Sequence, residues 1–198
     1  KEKKTLWQMA EIVADGVFKS VSDTQTPQGV IAIVKMPEYK LEDLFDGEKT
    51  HLLLIESIQD PGNLGTILRT AEAAGASMVI MSEGCADLFN PKVIRSTMGS
   101  IYRVPYYVVN GLDEAIDRLK ENDVMVYAAH LEDSIDYDKK DFKKPTAFLI
   151  GNEGNGLRDE VAQKADVWVR IPMHGQVESL NAAIAASIMM FEVSRQRR

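Results

Sequence analysis

The chain has 198 residues and a formal net charge of −7, with 45% hydrophobic and 27% charged residues. That balance excludes a disordered chain, a collagen and a disulfide scaffold, and the acidic excess argues against a protein that coats nucleic acid without selection. One cysteine, Cys85, forms no internal disulfide and suits a reducing cytoplasm, the expected location. No apolar run reaches the ~18 residues a membrane span needs, and no secretory leader opens the chain. The chain starts at Lys1, not Met, so a fragment or processed chain is expected.

In chain order, Leu6–Phe18 reads as one amphipathic helix, followed by a polar, turn-rich passage from Ser22 to Gly29. The main domain is expected to begin there, giving an N-terminal helix and linker over 1–29 and an α/β domain over 30–198. Strands are predicted at Val30–Val34, Leu52–Ile55, Met78–Met81, Val104–Val108, Val124–Ala128, Ala147–Ile150 and Val167–Ile171. Helices are predicted at Leu64–Ala74, Leu112–Asn122, Leu157–Ala165 and Leu180–Arg197. Several strands are continuous apolar runs, as burial on both faces demands. The alternation predicts an α/β fold with a mainly parallel sheet flanked by helices.

Three segments carry candidate chemistry. The first runs from Asp60 to Ala71, after a buried strand, with Asp60 or Asn63 as the cap of the following helix. At 100° per residue, Leu64, Ile67, Leu68, Ala71 and Ala74 form one stripe and Arg69 falls almost opposite it. Arg69 should therefore leave the core and face the carboxyl edge of the sheet, where α/β proteins bind ligands. Gly62 and Gly65 permit close approach of a backbone or a ligand. The bland alternative is a helix with one solvated arginine.

The second segment, Phe148–Leu157, is a strand running into Gly151, Gly154 and Gly156 and then a helix. Its spacing is G-x-x-G-x-G, so it is not the dinucleotide fingerprint, and a nucleotide-dependent oxidoreductase is disfavoured. Glu153 at its centre suits a cationic or hydroxyl-bearing ligand better than a phosphate. A simple strand-to-helix turn is the alternative. The third segment, Val169–Asn181, leaves a strand at Pro172 and passes through a polar loop to the last helix. Ser179 is the expected cap, which leaves Asn181, a poor helix former, unexplained. Ala182–Phe191 is apolar on nearly every side, which suits a core or a subunit interface. His51, His130 and His174 show no ligand spacing, so no metal is expected.

Together the segments resemble the SpoU (TrmH-like) family of RNA ribose 2′-O-methyltransferases of the SPOUT superfamily. Asn63–Ala71 is similar to its first motif, Gly151–Leu157 to its second, and Ile171–Met173 with Ser179–Asn181 to its third. The resemblance implies a C-terminal deep trefoil knot, contrary to the general rule, and S-adenosylmethionine held by Gly151, Asn152, Glu153, Gly156, Ile171, Pro172, Met173, Leu180 and Asn181. It implies catalytic roles for Arg69, Asn63, Glu153, Ser179 and Asn181, with no metal. The implied partners are ribosomal RNA, slightly preferred to transfer RNA, and a second copy of the chain in a homodimer, with no membrane. It also implies that residues 1–29 are the remnant of an upstream RNA-binding domain. A non-catalytic RNA-binding module on the same fold is the alternative function.

Overall fold

A computed structural model describes residues 6–22, 24–40 and 47–198. Lys1–Thr5 and Asp23, parts of the expected N-terminal segment, lie outside the described residues. The chain divides into two units, Lys1–Pro37 and Glu38–Arg198.

The first unit holds a 3₁₀ turn at Leu6–Met9 and helix α1 at Asp15–Val21, with no buried residue in α1. The single helix expected over Leu6–Phe18 is therefore broken. Ile12 and Val13 are exposed, and a helix that short is marginal in water unless an apolar face is covered. The strand expected at Val30–Val34 is absent. Those residues form no ladder, and Val30 and Ile33 stand in the open, at 70% and 99% exposure. A β-rich composition without a neighbouring strand has nothing to pair with.

The second unit is built on seven strands: β1 His51–Ile55, β2 Met78–Ser82, β3 Tyr106–Val109, β4 Met125–Ala129, β5 Ile135–Asp136, β6 Thr146–Ile150 and β7 Val167–Arg170. The sheet order is β3-β2-β1-β6-β4-β7-β5, and every neighbouring pair is parallel. Six predicted strands thus appear within a few residues of their expected bounds. β3 starts late because Pro105 has no N–H to give the ladder. The two-residue β5 was too short to leave a pattern.

Helices α2 (Pro61–Ala74), α3 (Pro91–Ser96) and α6 (Ala182–Gln196) cover one face, and α4 (Leu112–Glu121) and α5 (Asp159–Ala162) the other. β1 shows why central strands read as unbroken apolar runs: Leu53 and Ile55 enter the first core, Leu52 and Leu54 the second. In α2, Asp60 caps the helix by accepting from Asn63 N at 2.8 Å, and Gly75 ends it at φ 73°. Leu64, Ile67, Leu68, Ala71 and Ala74 are buried, as the stripe required. α5 is shorter than expected at both ends, running only from Asp159 to Ala162, with Arg158 as its N-cap and the Arg158 N–H bonded to Glu56.

The C-terminal helix is fastened at its far end. The Arg197 guanidinium donates to the carbonyls of Lys49, Thr50, Phe142 and Lys144, tying α6 to the starts of β1 and β6. Beside it His51 is buried, and its Nε2 has no hydrogen-bond partner among the described residues. Burial first, and then Arg197, lower its pKa from 6.5 to about 4. The unfolded chain therefore takes up the proton first as pH falls. The neutral histidine's contribution is complete above 6.5 and is lost as pH drops toward about 4, amounting to about 3 kcal/mol. Replacing His51 by glutamine should flatten that part of the stability profile, read as denaturant midpoints between those two pH values.

Candidate active site at the carboxyl edge of the sheet

β6 lies between β1 and β4, although the chain lays it down after both. This reversal opens the carboxyl edge, and a cavity of about 520 Å³ sits at the ends of β4, β6 and β7. Its apolar wall includes Ile150, Leu157, Ile171, Met173 and Leu180, and Glu132 and Asp159 also line it. A second hollow, about 710 Å³, lies at the amino ends of the same strands between Lys120, Lys143, Lys144 and Asp166, and contains none of the three motifs.

The glycine-rich segment closes on itself. Asn152 and Gly156 exchange backbone hydrogen bonds at 2.9 Å, and Asn152 Oδ1 accepts from the N–H groups of Gly154 and Asn155. Gly151 is obligatory here, since a Cβ at this position would lie 2.1 Å from the backbone of Gly156 and Leu157. The closed loop is anchored to the end of β1 at two points. Asn152 Nδ2 donates to Ser57 O at 2.7 Å, where Ser57 is held at φ 53°. Buried Glu56 accepts from Arg158 N at 2.9 Å and Arg158 Nε at 2.6 Å.

Glu153 leans away from the loop toward α2. It accepts from Gln59 N and Asp60 N, both at 3.3 Å, and from Asn63 Nδ2 at 2.9 Å. Burial raises its pKa, but the Asn63 and backbone donors outweigh that and hold the carboxyl below its ordinary value. Asn63 Oδ1 in turn accepts from Asn181 Nδ2 at 2.9 Å, and Asn181 Oδ1 accepts from Ala183 N and Ile184 N. A carboxylate only accepts, so each amide has one permitted orientation along this chain. The relay joins residues 63, 153 and 181, one from each motif.

Several expectations change. The cap of α6 is Asn181, and Ser179 is not: an exposed Ser179 lines the cavity two residues before the cap. Gly65 serves helix packing, not a ligand, because a Cβ there would collide with Ser96 on α3; at Gly62 the nearest neighbour is the Asp60 cap. Arg69 leaves the core as expected. It lies six residues past Asn63, about 9 Å down the helix axis, outside the cavity wall, exposed, with no hydrogen bond or ion pair among the described residues. Gly151, Asn152, Glu153, Gly156, Ile171, Met173, Ser179 and Leu180 line the cavity, whereas Pro172, Asn63 and Asn181 do not.

Glu56, Ser57, Arg158 and His130 had no place in the sequence-based site. Glu56 and His130 each end an apolar strand run, the signal available for them. His130 lines the cavity, and its ring stacks on Trp168 at 4.2 Å.

A parallel α/β sheet with a cavity of small-molecule size at its carboxyl edge, lined by apolar and polar residues and walled by a glycine loop, defines an enzyme or binding protein for a small-molecule ligand. Residues 50–191 match the SpoU rRNA Methylase family. The chain is 38% identical over 182 residues to the 23S rRNA (guanosine(2553)-2′-O)-methyltransferase RlmP of Bacillus subtilis, covering 92% of this chain and 71% of that protein. It resembles the AdoMet-bound rRNA methyltransferase from Sinorhizobium meliloti with a TM-score of 0.84 and 39% identity, over 92% of this chain and 70% of that one. The SpoU methyltransferase AviRb from Streptomyces viridochromogenes, in complex with AdoMet, gives 0.86 and 30% identity, over 99% and 80%. The chain belongs to the SpoU rRNA methylase family, and is an S-adenosylmethionine-dependent RNA 2′-O-methyltransferase.

The glycine positions give a direct check. Gly151→Ala places a Cβ against backbone that cannot move aside, so cofactor binding should be lost and stability should fall by about 1–3 kcal/mol. Gly156→Val, at a positive φ that a β-branched residue resists, should weaken cofactor binding with less steric damage. Calorimetry with S-adenosylhomocysteine and thermal melts of both variants would measure these effects.

Proposed function

We propose that the chain methylates a ribose 2′-oxygen of large-subunit ribosomal RNA. The observation that carries the reading is the Glu153–Asn63–Asn181 relay, which brings all three motifs to one edge of the sheet beside the cavity. The ribosomal preference is supported by the identity to RlmP, a 23S rRNA enzyme.

The cavity fits the cofactor. Its volume lies within the ~300–1,000 Å³ usual for small-molecule sites. Its glycine loop offers backbone to a nucleoside, and carboxylates at Glu132 and Asp159 are compatible with positive charge. Gly151, Asn152, Gly156, Ile171, Met173 and Leu180 would hold the cofactor, with Pro172 shaping the loop. S-adenosylmethionine, when bound, supplies a methyl group activated by a sulfonium.

The attacking 2′-hydroxyl is a weak acid, so the protein must stabilise charge that develops on its oxygen. Arginine does not serve as a general base in proteins, so Arg69 takes another role. It grips the neighbouring phosphate as a fork and stabilises the developing oxyanion. The phosphate or a water takes the proton. Ser179, exposed on the cavity wall, orients the ribose or the methionine end of the cofactor. Glu153 is occupied by donors and acts through Asn63, so its role, with Asn181, is to hold the three loops in register. Positioning of this kind can supply about 7–11 kcal/mol of the barrier reduction.

The finer architecture belongs to the same proposal. A deep trefoil knot is supported by the late insertion of β6 between β1 and β4 and the onward passage to β7. A symmetric homodimer through α6 is supported by Ile184 and Phe191, which stand 48% and 42% exposed on one apolar stripe of that helix. Residues 30–198 form the catalytic domain, with 1–29 belonging to an RNA-binding domain. Support comes from Ile12, Val13, Val17 and Val21, which stand exposed and uncovered among the described residues. A cytoplasmic location is supported by the proposed ribosomal RNA substrate.

The test is incubation of unmodified 23S rRNA with labelled S-adenosylmethionine and mapping of the methylated ribose by resistance to alkaline cleavage. Arg69→Ala should keep its melting temperature and cofactor affinity while losing at least about 100-fold in methyl transfer. A fall in stability of several kcal/mol would make Arg69 structural instead.

A further inference from the structure

Helix α2 carries a seam that fixes what lies beside Arg69. Gly65 meets Ser96 and Val93 of α3, and Glu72 accepts from Ser100 Oγ at 2.5 Å and from the Arg103 guanidinium. Residues 65 and 72 are seven apart and share one face. Arg69 lies between them along the axis, turned toward solvent by about 40° from one and 60° from the other. The segment bridging the two contacts, Ser96 to Ser100, therefore runs alongside Arg69.

That segment is unusual in three respects. Met98 is held at φ 52°, a conformation costly for a residue with a side chain, and Gly99 follows at φ 88°. The kink leaves Met98 69% exposed, and Tyr102, one turn on, 52% exposed. Lys92 and Arg95, on the helix that leads into this segment, are exposed and outside any ion pair among the described residues, while Arg103 beside Gly99 is already paired with Glu72. An exposed aromatic ring and thioether that follow two exposed, unpaired cations in the chain suit unpaired RNA, whose bases stack on such side chains while the phosphates meet the cations.

We propose that the Met98–Tyr102 ledge is a substrate-binding surface on which a base of single-stranded RNA stacks, next to the nucleotide engaged by Arg69. The inference rests on the methyltransferase reading for the role of Arg69, but the ledge is tested by binding alone.

The probe is a fluorescein-labelled single-stranded RNA of about 20 nucleotides, read by anisotropy at several salt concentrations, with an unmodified 23S rRNA transcript for kinetics. Tyr102→Ala should weaken RNA binding and raise the KM for RNA about tenfold, with kcat at saturating RNA and S-adenosylhomocysteine affinity unchanged. Tyr102→Phe, which keeps the ring, should restore both. Met98→Ala should act in the same direction. Lys92→Ala with Arg95→Ala should lower the salt slope of binding by about 0.7 for each phosphate that is no longer neutralised.

Equal RNA affinity in the parent, Tyr102→Ala and Met98→Ala would overturn the proposal, as would a parent that binds no RNA. Light scattering that shows Tyr102→Ala falling apart into monomers would give the ledge to a second copy of the chain, and also overturn it. A parent whose RNA binding depends on Tyr102 but which transfers no methyl group would keep the ledge and reject the methyltransferase reading.

Discussion

The Glu153 carboxylate accepts from the Gln59 and Asp60 backbone and from Asn63, and Asn63 is bonded in turn to the residue that caps the C-terminal helix. The cavity depends on this chain of bonds. These bonds join the β1–α2 corner, the glycine loop after β6 and the entry to α6 at one edge of the sheet, and add to the bonds that Ser57 and Glu56 make to the glycine loop. One ionised acceptor holds all three, and its donors keep it ionised, since they pull its pKa below the ordinary carboxylate value despite partial burial. The same carboxylate is therefore a poor candidate for a proton acceptor. It is already saturated, and protonating it would release the loops it secures.

The sheet supplies the rigidity on which that relay stands. Strands β1, β2, β4 and β6 are buried on both faces, and their apolar residues divide between a core under α2, α3 and α6 and a core under α4 and α5. The placement of β6 between β1 and β4 puts the end of the glycine loop directly beside the end of β1. There Glu56 and Ser57 secure it through Arg158 and Asn152. Arg197 acts at the opposite edge of the sheet, where four carbonyls fix the end of α6. The helix that begins at the active-site relay is thus held at both ends, which limits motion of the third motif.

Charge is distributed to match. The chain is acidic overall, but most cations near the sheet are paired: Arg158 with Glu56, Arg170 with Asp136, Lys120 with Asp166 and Lys164 with Asp117. Arg69 is exposed and outside such pairs. An arginine already held by a carboxylate offers less to a phosphate, so an unpaired one on an exposed ridge is available for an anionic polymer. Net charge hides this, because what meets RNA is the local field.

The sequence by itself determined the α/β class, the six longer strands, the stripe of α2 and the identity of the three loops, because each is written in local periodicity or in contiguous glycine and cap residues. It also marked Asn181 as a polar residue without a local reason, offered Asn63 as a helix cap and set Glu153 apart as an acid within a glycine turn. Only the tertiary structure decided what those residues do, since their partners lie 90 and 118 positions apart. It gave the helix cap to Asn181 instead of Ser179, because capping depends on where the chain turns and not on which residue has the better propensity. It left Arg69 off the cavity wall, because where a cavity opens depends on loops brought together from distant parts of the chain. It also left Val30–Val34 without a ladder, since β-propensity describes a strand that has found a neighbour, and no local pattern says whether one is there.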